Sequence, residues 1–209
     1  MAIWDIKDQP PRGWLKPAYK YIKNKLGDNL IGAVIGVSFG YGEEYALDNL
    51  SLKKFYMIDP YVHFDFSAMT PELWEKQYEH ARDKFASFPN VELWRLSSEE
   101  ASLKIEDNNL DFVYIDGNHF YPYIKKDIEL WWPKIKDGGV IGGHDYNIVE
   151  DESEIDKHIH DWKINGISYG VVKAVNEFSK NNKLSLKYEK IDIHSCYDWW
   201  IDKEQDATK

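Results

Sequence analysis

The chain has 209 residues, 43% of them hydrophobic and 15% aromatic, which is enough to fill the core of one domain but short for two. Its formal net charge of −10 argues against a nucleic-acid partner, because proteins that bind the phosphate backbone present a basic surface. A lone cysteine, Cys196, excludes an internal disulfide framework, and no run approaches the ~18 apolar residues of a membrane span. We therefore expect a soluble, cytoplasmic domain with neither a nucleic-acid nor a membrane partner.

The first half of the chain alternates helical and strand patterns. After an irregular lead-in, a helical repeat over 14–26 ends at Gly27. Thr70 followed by Pro71 is a strong signal for the start of another helix, because Thr is a favoured N-cap and Pro fits the first helical position. A helix is also expected from Glu43 and a short one after Ser97. The buried strands predicted in this half cover 30–37, 54–58 and 91–96.

The second half continues the alternation. A strand over 110–115 precedes a helix whose apolar positions include Ile124, Ile128, Trp131 and Ile135, and Asp137-Gly138-Gly139 is read as the stop of that helix. A strand over 140–143 follows, and then a long acidic stretch, 148–167, of the length expected for a lid. A helix over 169–178 and two final strands, over 184–188 and 191–201, complete the pattern. Strands that alternate with helices predict an α/β domain with a mostly parallel sheet covered on both faces.

Polar side chains gather where the fourth and fifth strands end. The strand over 110–115 leads into Asp116-Gly117-Asn118-His119, and the strand over 140–143 leads into His144-Asp145-Tyr146. If the two strands are parallel neighbours, their ends lie about 5 Å apart. Asp116 and Asp145 would then face one crevice at the carboxyl edge of the sheet, where open α/β folds bind ligands.

A glycine-rich loop follows the first strand. Its sequence over 36–42 is GVSFGYG, and glycines there let the backbone approach a ligand closely. Asp59, at the end of the second strand, can accept both hydroxyls of a ribose. The spacing G-x-x-x-G-x-G differs from the G-x-G-x-x-G of dinucleotide folds and disfavours a nicotinamide-dependent oxidoreductase. The alternative is a turn glycine with a solvated aspartate at the end of a strand.

The order of these signals resembles class I S-adenosylmethionine-dependent methyltransferases. The segments FYMIDPY, LDFVYIDGNHFY, DIELWWPKIKDGGVIGGHDY and GVVKAVNEF are similar to the metal-dependent O-methyltransferases that act on sugar hydroxyls of macrolides. The resemblance covers roughly residues 30–201 and is most specific over 110–147. It implies a single-domain Rossmann-like methyltransferase fold with a seven-stranded, mostly parallel sheet and a C-terminal antiparallel strand. The expected organisation is a lead-in and cap helix (1–29), the methyltransferase domain (30–201) and a polar tail (202–209).

The resemblance also implies roles for particular residues. Asp116 and His119 are the expected catalytic residues, with His119 as general base. A divalent metal, usually Mg²⁺, is expected at Asp116 and Asp145, with His144 as a third ligand. This chain departs from the family in two ways: Val34 and Ile35 stand where an acidic residue is common, and His144 replaces an acid. Residues expected to bind S-adenosylmethionine are Gly36, Val37, Ser38, Gly40, Asp59, Pro60, Ser97, Ser98 and Asp116.

A mechanism follows from these assignments. A bound cation would lower the pKa of an acceptor hydroxyl, His119 would take its proton, and transfer of the sulfonium methyl would depend mainly on positioning. Without a metal, His119 alone could support a lower rate. The expected partner is a small-molecule acceptor such as a carbohydrate, and a homo-oligomer is compatible with the sequence. The alternatives are another hydroxylated acceptor, such as a catechol-like ring, or a scaffold protein that binds the cofactor without catalysis.

Overall fold

A computed structural model describes residues 16–62, 70–146, 170–191 and 197–204. Within these ranges no helix is long and apolar enough to cross a membrane. The predicted lid, the lead-in before residue 16 and the end of the polar tail lie outside the described residues. Six α-helices of the described part are α1 (Pro17–Leu26), α2 (Tyr41–Asn49), α3 (Pro71–Phe85), α4 (Ser98–Ser102), α5 (Tyr121–Trp131) and α6 (Val171–Asn181). The strands are β1 (Leu30–Ile35), β2 (Leu52–Ile58), β3 (Val91–Trp94), β4 (Leu110–Ile115), β5 (Ile135–Gly143), β6 (Leu186–Lys190) and β7 (Tyr197–Asp202).

The seven strands form one sheet in the order β3-β2-β1-β4-β5-β7-β6. Strands β1 to β5 pair in parallel, and β7 pairs antiparallel with both β5 and β6. The predicted fold class, a mostly parallel seven-stranded sheet with an antiparallel strand near the C-terminus, is confirmed. Because β4 and β5 are parallel neighbours, the condition on which the predicted crevice depended is met.

Helices cover both faces of the sheet, and adjacent strand residues point to opposite cores. On β4, Phe112 and Tyr114 pack in the core under α1, α2 and α3, whereas Val113 and Ile115 pack in the core under α4, α5 and α6. This is the period-two alternation of a strand that is buried on both sides. It explains why the central strands read as continuous apolar runs in the sequence.

Two predicted boundaries around α5 are wrong. The helix ends at Trp131, and a 3₁₀ turn over Trp132–Lys134 follows. Pro133 has no N–H to donate and its ring blocks the preceding turn, so the helix cannot continue through it. Ile135 therefore begins β5, and Asp137-Gly138-Gly139 lies inside this strand at a register shift against β4. The glycine pair that suggested a helix stop marks an irregular strand instead.

Other element ends differ less. Thr70 is the N-cap of α3 and accepts a hydrogen bond from the Leu73 N–H, as predicted. Strand β1 stops at Ile35 rather than at residue 37, because Gly36 takes a left-handed conformation with φ of 89°. The helix predicted over 169–178 is α6, over 171–181, and part of the last predicted strand, 192–196, lies outside the described residues.

Candidate active site

The predicted site residues gather at one edge of the sheet. Gly36, Asp59, Ser97, Asp116 and His144 each follow the end of a different strand among β1 to β5. These strands are parallel and adjacent, so their carboxyl ends meet along one line. The backbone bonds Asp116 N–H to Ile35 O (2.7 Å) and His144 N–H to Ile115 O (3.1 Å) hold the three central strand ends together.

Two carboxylates and two imidazoles form a compact cluster at the ends of β4 and β5. His119 Nε2 lies 3.4 Å from Asp116 Oδ1 and 3.1 Å from Asp145 Oδ2, so one imidazole bridges both acids. The other oxygen of Asp145 lies 2.9 Å from His144 Nδ1. Asp145 has a φ of 59°, and such left-handed strain in a non-glycine residue concentrates at functional sites. The crevice predicted from the sequence is therefore organised around His119.

Lys16, at the start of α1, completes this acid–imidazole cluster and was missed by the sequence analysis. Its Nζ lies 3.1 Å from Asp116 Oδ2 and 3.2 Å from the Tyr114 hydroxyl oxygen, and its side chain is only 9% exposed. Asp198 on β7 accepts hydrogen bonds from the Tyr114 hydroxyl (2.8 Å) and the Ala18 N–H (3.1 Å), which ties the first turn of α1 to the sheet. A lysine before a helix-starting proline carries no local signal for such a role.

The carboxylates and the positively charged groups of the cluster stabilise one another's ionised forms. Although burial opposes ionisation, the Lys16 ammonium, His144 and His119 hold the pKa of Asp116 well below its usual range. Burial likewise opposes ionisation of Asp145, but the hydrogen bond with His144 and the nearby His119 lower its pKa to about 2. Burial disfavours the charged imidazole of His119, yet Asp116 and Asp145 raise its pKa overall. Both acids are therefore ionised at neutral pH.

The predicted metal ligands converge, but their contacts do not suit a hard cation. Ligand atoms of Asp116, His144 and Asp145 all lie within 4.8 Å of one another. However, all four carboxylate oxygens already face a nitrogen: Lys16 and His119 at Asp116, and His119 and His144 at Asp145. Mg²⁺ prefers oxygen ligands and octahedral geometry, and here it would meet an ammonium and two imidazoles. The donor set therefore fits Mg²⁺ poorly.

Asp59 shapes the glycine-rich loop. Its Oδ2 accepts from the Val37 N–H (2.9 Å) and the Ser38 N–H (3.0 Å), and its Oδ1 accepts from the Tyr61 N–H (2.8 Å). Ser38 and Tyr61 both adopt positive φ, so the carboxylate holds two strained backbone positions. Among the described residues Oδ1 accepts one bond, which leaves it capacity for the predicted ribose hydroxyl.

We expect Asp59→Asn to weaken both the loop and cofactor binding. The amide replaces one acceptor oxygen with a donor, so at least one loop N–H loses its partner at a cost of about 1–3 kcal/mol. Urea unfolding and calorimetric titration with S-adenosylmethionine measure the two effects. Asp28→Asn, at an exposed aspartate before β1, is the control and should change neither quantity. An unfolding free energy of Asp59→Asn equal to that of the control would contradict the role in the loop.

The two serines predicted to bind the cofactor bond within the protein. The Ser97 hydroxyl caps α4 in a capping box with Glu100. The Ser98 Oγ accepts from Trp131 Nε1 (2.9 Å), and its hydroxyl bonds to the buried carboxyl of Asp127. Pro60 directly follows Asp59 at the same edge of the sheet. These contacts place the three residues beside the crevice, and their cofactor contacts stay predictions.

The buried carboxyl of Asp127 is expected to make the stability of the protein depend on pH. Burial raises its pKa to about 6, above the value of 3.8 expected when unfolded, so the folded state binds this proton more tightly. The neutral carboxyl makes its full contribution to the free energy of unfolding below pH 3.8, and this contribution is lost as the pH rises through about 6. Each pKa unit corresponds to about 1.4 kcal/mol, so the loss is on the order of 3 kcal/mol.

Asp127→Asn should remove this loss, because the amide stays neutral at every pH. The variant is expected to be more stable than the wild type above pH 6.5 and similar to it near pH 4. Thermal unfolding between pH 4 and 8 measures the difference, with Asp48→Asn on the exposed face of α2 as control. Parallel pH curves for the wild type and Asp127→Asn would contradict the assignment.

With the geometry in place, comparison with known proteins identifies the family. A family model described as "Methyltransferase domain" matches residues 31–146, more than half of the chain. The chain belongs to this family. The matched range runs from β1 to the residue after Asp145, so it contains the glycine-rich loop and most of the acid–imidazole cluster. The prediction of a class I methyltransferase domain is confirmed, whereas the macrolide-sugar branch stays a prediction.

Solved methyltransferases share the fold of this methyltransferase domain. A putative caffeoyl-CoA O-methyltransferase from Staphylococcus aureus matches with a TM-score of 0.61 and 15% identity, covering 89% of this chain and 81% of that one. An O-methyltransferase from Bacillus cereus, in complex with SAH, gives 0.60 and 15%, covering 93% and 84%. A putative methyltransferase from Streptococcus mutans, also in complex with SAH, gives 0.59 and 13%, covering 91% and 98%. At these identities the likeness shows the fold alone.

One curated relative shares a short stretch of sequence. Over 58 residues the chain is 40% identical to a Sinorhizobium fredii protein named "Uncharacterized protein y4gI". This stretch is 28% of the chain and 6% of the relative, so the match spans a small part of that protein. The match therefore does not indicate a substrate for the site.

Proposed function

We propose that the protein is an S-adenosylmethionine-dependent O-methyltransferase whose acceptor is a hydroxyl of a sugar or glycosylated small molecule. The observation that carries the proposal is His119 held between Asp116 and Asp145 at the carboxyl edge of β4 and β5. A hydroxyl is a poor nucleophile until its proton leaves, and an imidazole paired with carboxylates is suited to take that proton. The resemblance of residues 110–147 supports the sugar acceptor.

Each residue of the site has its own role in the proposed methyl transfer. When bound, S-adenosylmethionine would supply a sulfonium methyl for the acceptor oxygen, and the electron pair of the broken carbon–sulfur bond would stay on sulfur. Because His119 Nε2 faces both carboxylates, the neutral imidazole keeps its proton there and carries its lone pair on Nδ1, which accepts the hydroxyl proton. Asp116 and Asp145 then stabilise the imidazolium. The loop at Gly36 and the Oδ1 of Asp59 would orient the nucleoside.

The metal does not enter this mechanism. Asp116, Asp145 and His144 would hold a divalent cation if one binds, and it would lower the pKa of the acceptor hydroxyl. The Mg²⁺ site stays a prediction, and the nitrogen contacts to every carboxylate oxygen argue against it. The proton transfer is therefore assigned to His119 and its two carboxylates, without a cation.

Calorimetric titration with S-adenosylmethionine, with NAD in parallel, tests the cofactor. Binding of the former and not the latter is expected, and the reverse result would refute the proposed function. Transfer of a labelled methyl group to a panel of sugars, glycosides and catechols then tests the acceptor. If only catechols are labelled, the acceptor is an aromatic hydroxyl and not a sugar hydroxyl. Tight cofactor binding without transfer to any acceptor would favour the scaffold alternative.

A further inference from the structure

Lys16 brings a buried positive charge to Asp116 from an element outside the matched family range. It precedes α1, one hundred positions before Asp116 in the sequence, and its side chain is 9% exposed. Three contacts fix the ammonium: Asp116 Oδ2 at 3.1 Å, the Tyr114 hydroxyl oxygen at 3.2 Å and the Tyr114 ring at 4.8 Å from its centroid. Asp198 anchors both Tyr114 and the first turn of α1. This charge is thus built into the fold.

The Lys16 ammonium occupies one side of the Asp116 carboxylate, a predicted metal ligand. Asp116 Oδ2 faces Lys16 and Oδ1 faces His119, so a cation ligated by Asp116 would share a carboxylate oxygen with one of these nitrogen groups or displace it. The remaining ammonium would then repel the ion at short range in a poorly solvated site. A Cβ on Gly42 would lie only 3.4 Å from the Lys16 Cε and Nζ, so the start of α2 closes over the lysine and limits its retreat.

We propose that Lys16 is a positioning residue that replaces a divalent cation: it holds Asp116 towards His119 and excludes metal from the acid–imidazole cluster. The inference rests on the proposed function only for the role of His119 as the base. The cluster then balances its two carboxylates with an ammonium and imidazoles, and the Asp116 Oδ1 stays directed at His119 Nε2. The expected consequence is a methyltransferase domain with no high-affinity metal site at Asp116.

Titration with Mn²⁺, followed by electron paramagnetic resonance of the free ion, tests this without an acceptor. The wild-type chain is expected to show no saturable site of about 1 mM affinity or better. Lys16→Met should create one site at least about tenfold tighter, within the 10–100-fold range by which neighbouring groups change metal affinity. Lys16→Arg keeps the charge and should behave as the wild type, and Lys16→Met with Asp116→Asn should lose the new site.

Lys84→Met is the matched control. Lys84 is also a poorly exposed lysine in an ion pair, with Glu44 at 3.0 Å, but it does not contact the acid–imidazole cluster. Its removal should leave Mn²⁺ binding at the wild-type level. Stoichiometric Mn²⁺ binding to the wild type that Asp116→Asn abolishes would overturn the inference even if Lys16→Met failed to fold. A folded Lys16→Met variant without a new site would also overturn it.

These results are separable from the proposed function. Mn²⁺ binding to the wild type, together with normal binding of S-adenosylmethionine, would remove the role of Lys16 and leave the methyltransferase intact. Failure to bind S-adenosylmethionine would refute the proposed function whatever the metal titration shows. Once an acceptor is known, wild-type turnover should change less than about twofold between excess chelator and millimolar Mg²⁺, because no cation takes part in the mechanism.

Discussion

Replacing His119 with alanine is expected to lower kcat by about 10²–10⁴-fold, the usual contribution of general acid–base catalysis. The imidazole bridges Asp116 and Asp145, so its loss removes both the proton acceptor and the group that these carboxylates stabilise as a cation. The affinity for S-adenosylmethionine should change little, since the loop at Gly36 and Asp59 is untouched. Single-turnover transfer of a labelled methyl group and calorimetric titration measure the two quantities.

His80→Ala on α3 is the control for this substitution. Its imidazole packs against Phe39 and Tyr41 and lies outside the acid–imidazole cluster, so kcat should stay within about twofold of the wild type. His119→Gln keeps a polar side chain of similar length without a basic nitrogen, and it should be as slow as the alanine variant. A His119→Gln enzyme with wild-type kcat would show that His119 is not the general base.

Replacing Gly36 with alanine should cause the largest loss of stability. Gly36 has a φ of 89°, which costs other residues about 1–2 kcal/mol. A Cβ there would also lie 2.2 Å from the Asp116 carbonyl oxygen and 2.6 Å from the Gly117 Cα. Both contacts are backbone, so β1 and β4 must separate, and overpacking of this kind adds about 1–3 kcal/mol. The expected total is about 2–5 kcal/mol by urea unfolding, with weakened cofactor binding.

Gly138→Ala separates the cost of the left-handed backbone conformation from the cost of the steric contacts. Gly138 has almost the same φ, 86°, but nothing lies within 4 Å of an added Cβ. The free energy of unfolding of Gly138→Ala should therefore fall only by the conformational cost, about 1–2 kcal/mol. Its affinity for the cofactor should be retained. Equal losses in the two variants would mean that the close approach of β1 and β4 at Gly36 does not constrain the protein.

The sequence determined the part of the site that follows from local rules. Strand patterns located β1 to β5 to within two residues at each end, apart from the start of β5. Strand β4 was predicted residue for residue, because a strand buried on both faces must be continuously apolar. Once those strands are parallel, Gly36, Asp59, Asp116 and Asp145 must share one edge of the sheet. Where a local signal was ambiguous the prediction failed: the glycine pair before Val140 was read as a helix stop, although Pro133 had already ended α5.

Only the tertiary structure decided how those residues are used. Asp59 holds the strained loop, His119 bridges two acids, and Lys16 reaches Asp116 from a helix that Asp198 on β7 secures. These pairs join residues up to 180 positions apart. No periodicity or spacing encodes them, because they depend on which helix packs against which strand and on the charge that burial then requires. The sequence alone thus predicted a crevice with two carboxylates, and the tertiary structure added the lysine that balances one of them.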